Sequence, residues 1–163
     1  MKLLLDTNVL LDVLAARKPF YKAAARIWSL AEHEDVEAFV SAISFNNVYY
    51  IVRKAGGKEK ADEALRTLRD LFTPVPLDSG LINQAMDAPI DDFEDAVQFH
   101  SAARRKCDYL ITRDPDGFPS SAVPVLSPQE FLAVWDIRQE AVAESGGDAD
   151  KTTGNNKPIP YLS

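Results

Sequence analysis

Leu3-Leu4-Leu5 runs straight into Asp6-Thr7-Asn8, and Tyr109-Leu110-Ile111 runs through Thr112-Arg113 into Asp114. An apolar run that ends in a carboxylate is a common start for an acidic metal or phosphate site, because open α/β sheets hold their ligands beyond the carboxyl ends of the strands. If both runs are neighbouring parallel strands, Asp6 and Asp114 meet at one sheet edge, and helical crossovers allow the long separation in sequence. A third acidic group, Asp91-Asp92-Phe93-Glu94-Asp95, opens a predicted helix between them. Within it Asp92 and Asp95 are three apart and Asp91 and Asp95 four apart, so either pair can share a helix face. A structural reading competes: acids complement the positive end of a helix dipole, and Asp91 or Asp92 is a candidate N-cap. Asp95 is different, because it adjoins Ala96 and Val97 on the side that must pack, where a carboxylate requires a partner or a metal. Asp12, further along the first helix, can face either way.

Hard divalent cations take oxygen ligands, and Mg²⁺ uses few carboxylates, completing its shell with water and substrate phosphate. Three or four acids converging from separate elements suit one or two such ions, which can activate water and stabilise the departing oxygen in phosphodiester cleavage. Brought together without metal, they would repel and raise some of their own pKa values.

The elements that must position these acids alternate. Residues 8–16 place Val9, Leu10, Val13 and Leu14 at helical spacing, and Pro19 closes the segment. A second helix is predicted over 20–32, a strand over 38–40, and a helix over 45–54 that Ser41 or Ser44 caps and Gly56-Gly57 ends. Residues 58–72 form an amphipathic helix, 75–77 an irregular or edge strand, 79–86 a short helix and 93–106 the helix behind the acidic group. After the strand at 109–112 and a loop at 115–121 come a last strand over 123–126 and a helix to about 142. That helix begins Ser127-Pro128, with Glu130 three residues after the cap, the spacing of a capping box. Short apolar strands alternating with helices indicate an α/β fold, a parallel sheet with helices on both faces. The expected domain is 1–143, followed by a polar tail, 144–163, with almost nothing to bury and expected to be disordered.

At 163 residues the chain is long enough for one well-buried domain. Its one cysteine, Cys107, cannot form an internal bridge, and no Cys/His zinc pattern is present. Asp6, Asn8 and Asp12 interrupt any signal-peptide core, and no apolar stretch is long enough to span a bilayer, so the protein is expected in the cytoplasm. The net charge of −7 argues against non-specific coating of nucleic acid, yet it is compatible with an acidic centre rimmed by cations. Basic groups cluster at Arg17-Lys18, at Arg53-Lys54 with Lys58 and Lys60, and at Arg104-Arg105-Lys106, each of which also reads as a solvated helix face or end. His33 is read as surface, His100 as structural, and Trp28 with most aromatics as core.

In their order and separations, Leu4-Leu5-Asp6-Thr7-Asn8-Val9-Leu10, Asp92-Phe93-Glu94-Asp95-Ala96 and Leu110-Ile111-Thr112-Arg113-Asp114 resemble a PIN domain over about residues 1–135. The likeness is to toxin-type PIN proteins of the VapC kind. It implies a three-layer α/β/α fold and a Mg²⁺- or Mn²⁺-dependent endoribonuclease with one or two ions, usually dimeric and often restrained by an antitoxin. By motif, Asp6, Asp95 and Asp114 would be the catalytic acids and metal ligands. Thr7 or Asn8 and Thr112 would orient carboxylates or water. One position departs from the pattern: Asn47 stands where many relatives carry a Glu. An amide brings no charge, so Glu94 or Asp92 would have to supply it. Arg113 is read either as a contact to substrate phosphate or as an ion-pair partner of the acidic cluster. The alternative function is a catalytically impaired PIN fold kept as an RNA- or protein-binding module. A haloacid-dehalogenase-like reading needs a second aspartate two positions after the first, where Asn8 stands. A response-regulator receiver needs paired acids before the first-strand aspartate, and none lies near Asp6.

Overall fold

Leu3, Leu4 and Leu5 are wholly buried because their strand is the middle one of a sheet. In a computed structural model, which describes residues 1–119 and 123–147, β1 (Lys2–Leu5) lies between β2 (Glu37–Ser41) and β4 (Tyr109–Ile111). Outside these run β3 (Thr73–Val75), beside β2, and β5 (Val125–Leu126), beside β4. All pairings are parallel; Leu3 lies opposite Tyr109, Leu5 opposite Ile111, and Leu4 opposite Phe39 on the other side. A central parallel strand has both faces covered, which is why β1 reads as an unbroken apolar run rather than an alternating one.

The strand order β3-β2-β1-β4-β5 reverses at β1. The chain builds outward from β1 through β2 to β3, then returns to lay β4 against the free side of β1. The carboxyl ends of β1 and β4 therefore flank a topological switch point, the crevice where open α/β sheets hold ligands.

The helices are α1 (Thr7–Leu14), α2 (Tyr21–Glu32), α3 (Ala42–Gly56), α4 (Lys58–Leu71), α5 (Ser79–Met86), α6 (Phe93–Arg104) and α7 (Pro128–Gly147). Helix α6 lies across β1, β2 and β4, where its Ala102 packs with Leu4, Phe39 and Leu110. Leu3 and Leu5 point the other way and are equally buried, so helices cover both faces as the alternating pattern predicts. Further along α6, Ala96 and Val97 meet Leu81 and Ala85 of α5. Gly57, at φ +88°, makes the sharp break between α3 and α4 that a residue with a β-carbon resists.

Several boundaries differ from expectation for local reasons. The third strand is Thr73–Val75, not 75–77: Pro74 is accommodated because this is an edge strand. The last strand shortens to Val125–Leu126. Ser41 rather than Ser44 occupies the N-cap position of α3, and its side chain makes no capping bond. The capping box forms as predicted, with Ser127 Oγ accepting from the Glu130 amide (3.2 Å) and Glu130 Oε2 accepting from the Ser127 amide (2.7 Å). Residues 1–132 form one compact unit, and 133–147, the remainder of α7, fall in a second. Residues 144–147, expected to be tail, continue that helix, since the alanines and glutamates before them are strong helix formers. The rest of the predicted tail, 148–163, lies outside the described residues. No helix among the described residues is long and apolar enough to cross a membrane.

Candidate active site

Asp6 leaves β1 with the sheet ladder still engaged: its amide donates to the Ile111 carbonyl at 3.0 Å. It stands at the N-cap of α1, but its carboxylate makes no cap bond. The carboxylate turns instead toward neighbouring elements. Thr112, just past β4, donates its hydroxyl to Asp6 Oδ2 at 2.8 Å. Gln98 of α6 donates its amide to Asp6 Oδ1 at 3.3 Å, and Asn8 reaches Oδ2 at 3.5 Å. Asp6 is only 4% exposed, and burial pushes its carboxyl above the ordinary range. The Thr112 bond opposes that rise and the charge of Glu94 adds to it.

Helix α6 brings the next acids. Asp92 is its N-cap, accepting the Asp95 amide at 3.0 Å, so the structural reading of this residue holds. Glu94 accepts the Thr7 hydroxyl at 2.8 Å, which ties the first turn of α6 to the first turn of α1. Asp95 is half-buried, and its carboxyl is pushed up from 3.8 to about 6. Burial is the largest cause, followed by the negative charges of Asp92, Asp6, Glu94 and Asp114. Five carboxylates from three parts of the sequence thus share one electrostatic field.

Asp114 closes the crevice from the β4 side. Its amide donates to Thr112 Oγ1 at 3.3 Å, and a 3-10 turn, Pro115–Gly117, follows at once. A β-carbon on Gly117 would lie 3.7 Å from Asp95 Oδ2, so this turn passes directly over the Asp95 carboxylate.

Two residues of this network were not anticipated. Gln98 Nε2 lies 3.1 Å from Thr7 Oγ1 and 3.0 Å from Ser44 Oγ, in addition to Asp6. The Thr7 and Ser44 hydroxyls are themselves 2.8 Å apart. One buried amide therefore joins β1, α1, α3 and α6 behind the carboxylates. The available signal was position: Gln98 is four residues after Glu94 and three before Ser101, on the helix face that packs against the sheet.

Asn47 does not join this network among the described residues. It lies on α3, half-buried, three residues beyond Ser44. Arg113 pairs not with the acidic cluster but with Asp12, whose fully buried Oδ2 is 3.4 Å from its Nε. His33 is exposed, as expected, and Trp28 is core, edge-on to Phe72 at 5.1 Å.

The donors are all oxygen, Asp6 is buried, Glu94 and Asp95 are half-buried, and burial together with the neighbouring charges raises the Asp95 carboxyl. That set fits a hard divalent cation. Among the described residues no three acidic, His or Cys side chains close on a common point.

A family model described as a PIN domain matches residues 2–116. Among solved structures, the chain is similar to VapBC2 from Rickettsia felis bound to a DNA fragment from their promoter, with a TM-score of 0.59, 15% identity, 78% of this chain covered and 98% of that one. A toxin-antitoxin complex from Klebsiella pneumoniae gives 0.57 and 21%, covering 77% of this chain and 96% of that one. VapC20 of Mycobacterium tuberculosis, a sarcin-ricin loop cleaving toxin, gives 0.54 and 15%, covering 66% and 86%. At these identities the likeness is one of fold. No curated protein matches the sequence.

Proposed function

The chain belongs to the PIN-domain family, and we propose that it is a Mg²⁺- or Mn²⁺-dependent endoribonuclease that hydrolyses RNA phosphodiester bonds. The observation that carries this reading is the gathering of Asp6, Asp92, Glu94 and Asp114 around Asp95, whose carboxyl is raised to about 6 by burial first and by these charges next. Such crowding costs free energy in the empty fold and is relieved by a cation. Asp6, Asp95 and Asp114 would hold one or two ions, and Glu94 would supply the charge that Asn47 lacks. A bound ion provides positive charge that acidifies a water and offsets the developing charge on the scissile phosphate. Thr112 and Gln98 fix the orientation of the Asp6 carboxylate, and Thr7 fixes that of Glu94. Asn8 reaches the same Asp6 oxygen from the start of α1.

The likeness to VapBC2 and to the Klebsiella toxin-antitoxin complex supports the toxin of a toxin-antitoxin pair with an antitoxin protein as partner; action in the cytoplasm and pairing with a second copy of the chain complete the proposal. The deciding test is cleavage of a panel of structured RNAs by the purified protein with Mn²⁺. Turnover no faster than that of Asp6→Asn and Asp95→Asn removes the enzymatic reading. Asn47, outside the buried network, favours the second reading, an impaired PIN fold that binds RNA or protein without turnover. Tight binding with no Mn²⁺-dependent cleavage is its signature.

A further inference from the structure

The segment joining α1 to α2 reads Arg17-Lys18-Pro19-Phe20-Tyr21-Lys22, cations interleaved with two aromatic rings. It is held beside the acidic crevice. The Arg113 guanidinium lies over the Phe20 ring, 4.4 Å from its centroid, and Arg113 sits between Thr112, which binds Asp6, and Asp114. Arg113 is fixed from the opposite side by the buried Asp12 carboxylate, leaving its side chain 27% exposed. The next ring is different: Tyr21 is 40% exposed. With Lys18, Pro19 and Lys22 it lines an open cleft of about 370 Å³. Its walls are a phenol ring, a proline ring and two lysine stems. Both lysines are exposed, and neither forms an ion pair among the described residues. By contrast Arg104, Lys58 and Arg105, from the other basic clusters, are engaged with Asp78, Asp62 and the Phe39 ring.

Flat apolar surface flanked by unpaired cations is the chemistry that holds single-stranded nucleic acid: rings stack on bases and cations follow the phosphates. In a chain of net charge −7 such a patch is the local exception that attracts a polyanion. We propose that Tyr21, Lys18 and Lys22, with Arg113 on the crevice side, form a subsite for single-stranded RNA. One base stacks on Tyr21, and the phosphates beside it run past the lysines and Arg113 toward Asp114. The assignment rests on the nuclease reading for its substrate, but its binding groups are independent of the carboxylates.

The test is fluorescence anisotropy of the full chain with a labelled single-stranded RNA of about twelve nucleotides in EDTA, so that binding is read without cleavage. Tyr21→Ala is expected to weaken binding about tenfold, the scale of one missing base stack, while Tyr21→Phe keeps it. Lys18→Ala with Lys22→Ala should flatten the dependence of log affinity on log salt by about 1.4, roughly 0.7 for each single-strand phosphate that no longer meets a cation. The exposed pair Lys58→Ala with Lys60→Ala, from a separate basic cluster, serves as control and should change neither. Tyr21→Ala binding RNA as wild type does overturns the subsite, as does equal weakening toward duplex RNA of the same sequence. Unchanged RNA affinity with altered sedimentation would make the patch an interface between copies and would overturn it too. If the wild type fails to cleave with Mn²⁺ but Tyr21→Ala still loses RNA, the nuclease reading falls and the subsite stands. If the wild type cleaves and Tyr21→Ala changes neither affinity nor KM, the subsite falls alone.

Discussion

Thr112 donates a 2.8 Å hydrogen bond to Asp6 across the junction of β4 and β1. The bond joins the two strand ends that carry the outer acids, and it opposes the rise that burial imposes on the Asp6 carboxyl. The same hydroxyl accepts the Asp114 amide at 3.3 Å. One threonine therefore sets the spacing of two acids, and the behaviour of the metal-free fold follows from how close those acids are held.

Asp95 gives that behaviour a pH dependence. Its carboxyl is raised from 3.8 to about 6, so between those values the folded chain binds more protons than the unfolded one. Stability from this group is present at the acid end of the window and is lost as pH rises through about 6. The raised carboxyl of Asp6 acts in the same direction. In EDTA, the difference in melting temperature between wild type and Asp95→Asn should turn increasingly against the wild type as pH climbs through this window. Mn²⁺ should stabilise the wild type more above the window than below it. A difference independent of pH would show that the acids do not share a field.

Gln98 is fully buried and reaches three oxygens through one nitrogen. Replacing it with Leu leaves two hydroxyls and a carboxylate short of a donor, at a cost of about 2 kcal/mol in a urea titration. Calorimetric titration with Mn²⁺ should show weaker binding as well, because Asp6 is then no longer tied to α6. A drop in stability with unchanged Mn²⁺ affinity would make Gln98 a packing residue only.

The charge missing at Asn47 can be restored or further reduced. Asn47→Glu should raise Mn²⁺ affinity severalfold, and Glu94→Gln should lower it by about tenfold, the scale for removal of a supporting carboxylate near a metal. The two changes together should partly cancel. If Asn47→Glu has no effect on affinity, the α3 position lies off the metal path.

Removing Arg113 should be more damaging than removing its partner. Asp12 is wholly buried, neither of its oxygens has a hydrogen-bond donor among the described residues, and burial raises its carboxyl against the opposing charges of Arg113 and Arg17. Arg113→Gln strands that carboxylate and should cost about 3 kcal/mol, whereas Asp12→Asn should stay within about 1 kcal/mol of wild type. Chemical denaturation of both variants at neutral pH checks the order.

Much of this architecture could be read from patterns with one-dimensional signatures. The apolar run before Asp6 announced a strand buried on both faces, the 79–86 helix was predicted at its observed bounds, and the Ser127–Glu130 box formed with the expected pairings. The acids at strand ends and at the start of α6 were visible because carboxylates beside apolar runs are chemically conspicuous. Gln98 was not, since an isolated glutamine on a helix looks like solvent-facing polarity until the packing face is known. The Asp12–Arg113 pair was equally hidden, because nothing local links a residue on α1 to one beyond β4. Asp92 carried two readings in the sequence, and the hydrogen bond to the Asp95 amide shows that capping is one of its roles.

Because β4 takes its place beside β1 only after β2 and β3 have been made, a chain growing on the ribosome carries Asp6 long before Asp95 and Asp114 exist. Fragments ending ahead of Asp92 hold Asp6 alone of the crevice acids, and those ending ahead of β4 still lack Asp114 and the strand that walls the crevice on that side. For a protein proposed to attack the RNA of the cell that makes it, interrupted translation or a premature stop codon thus yields an inert piece. On that proposal, cleavage waits until Asp114 and the strand before it have been made.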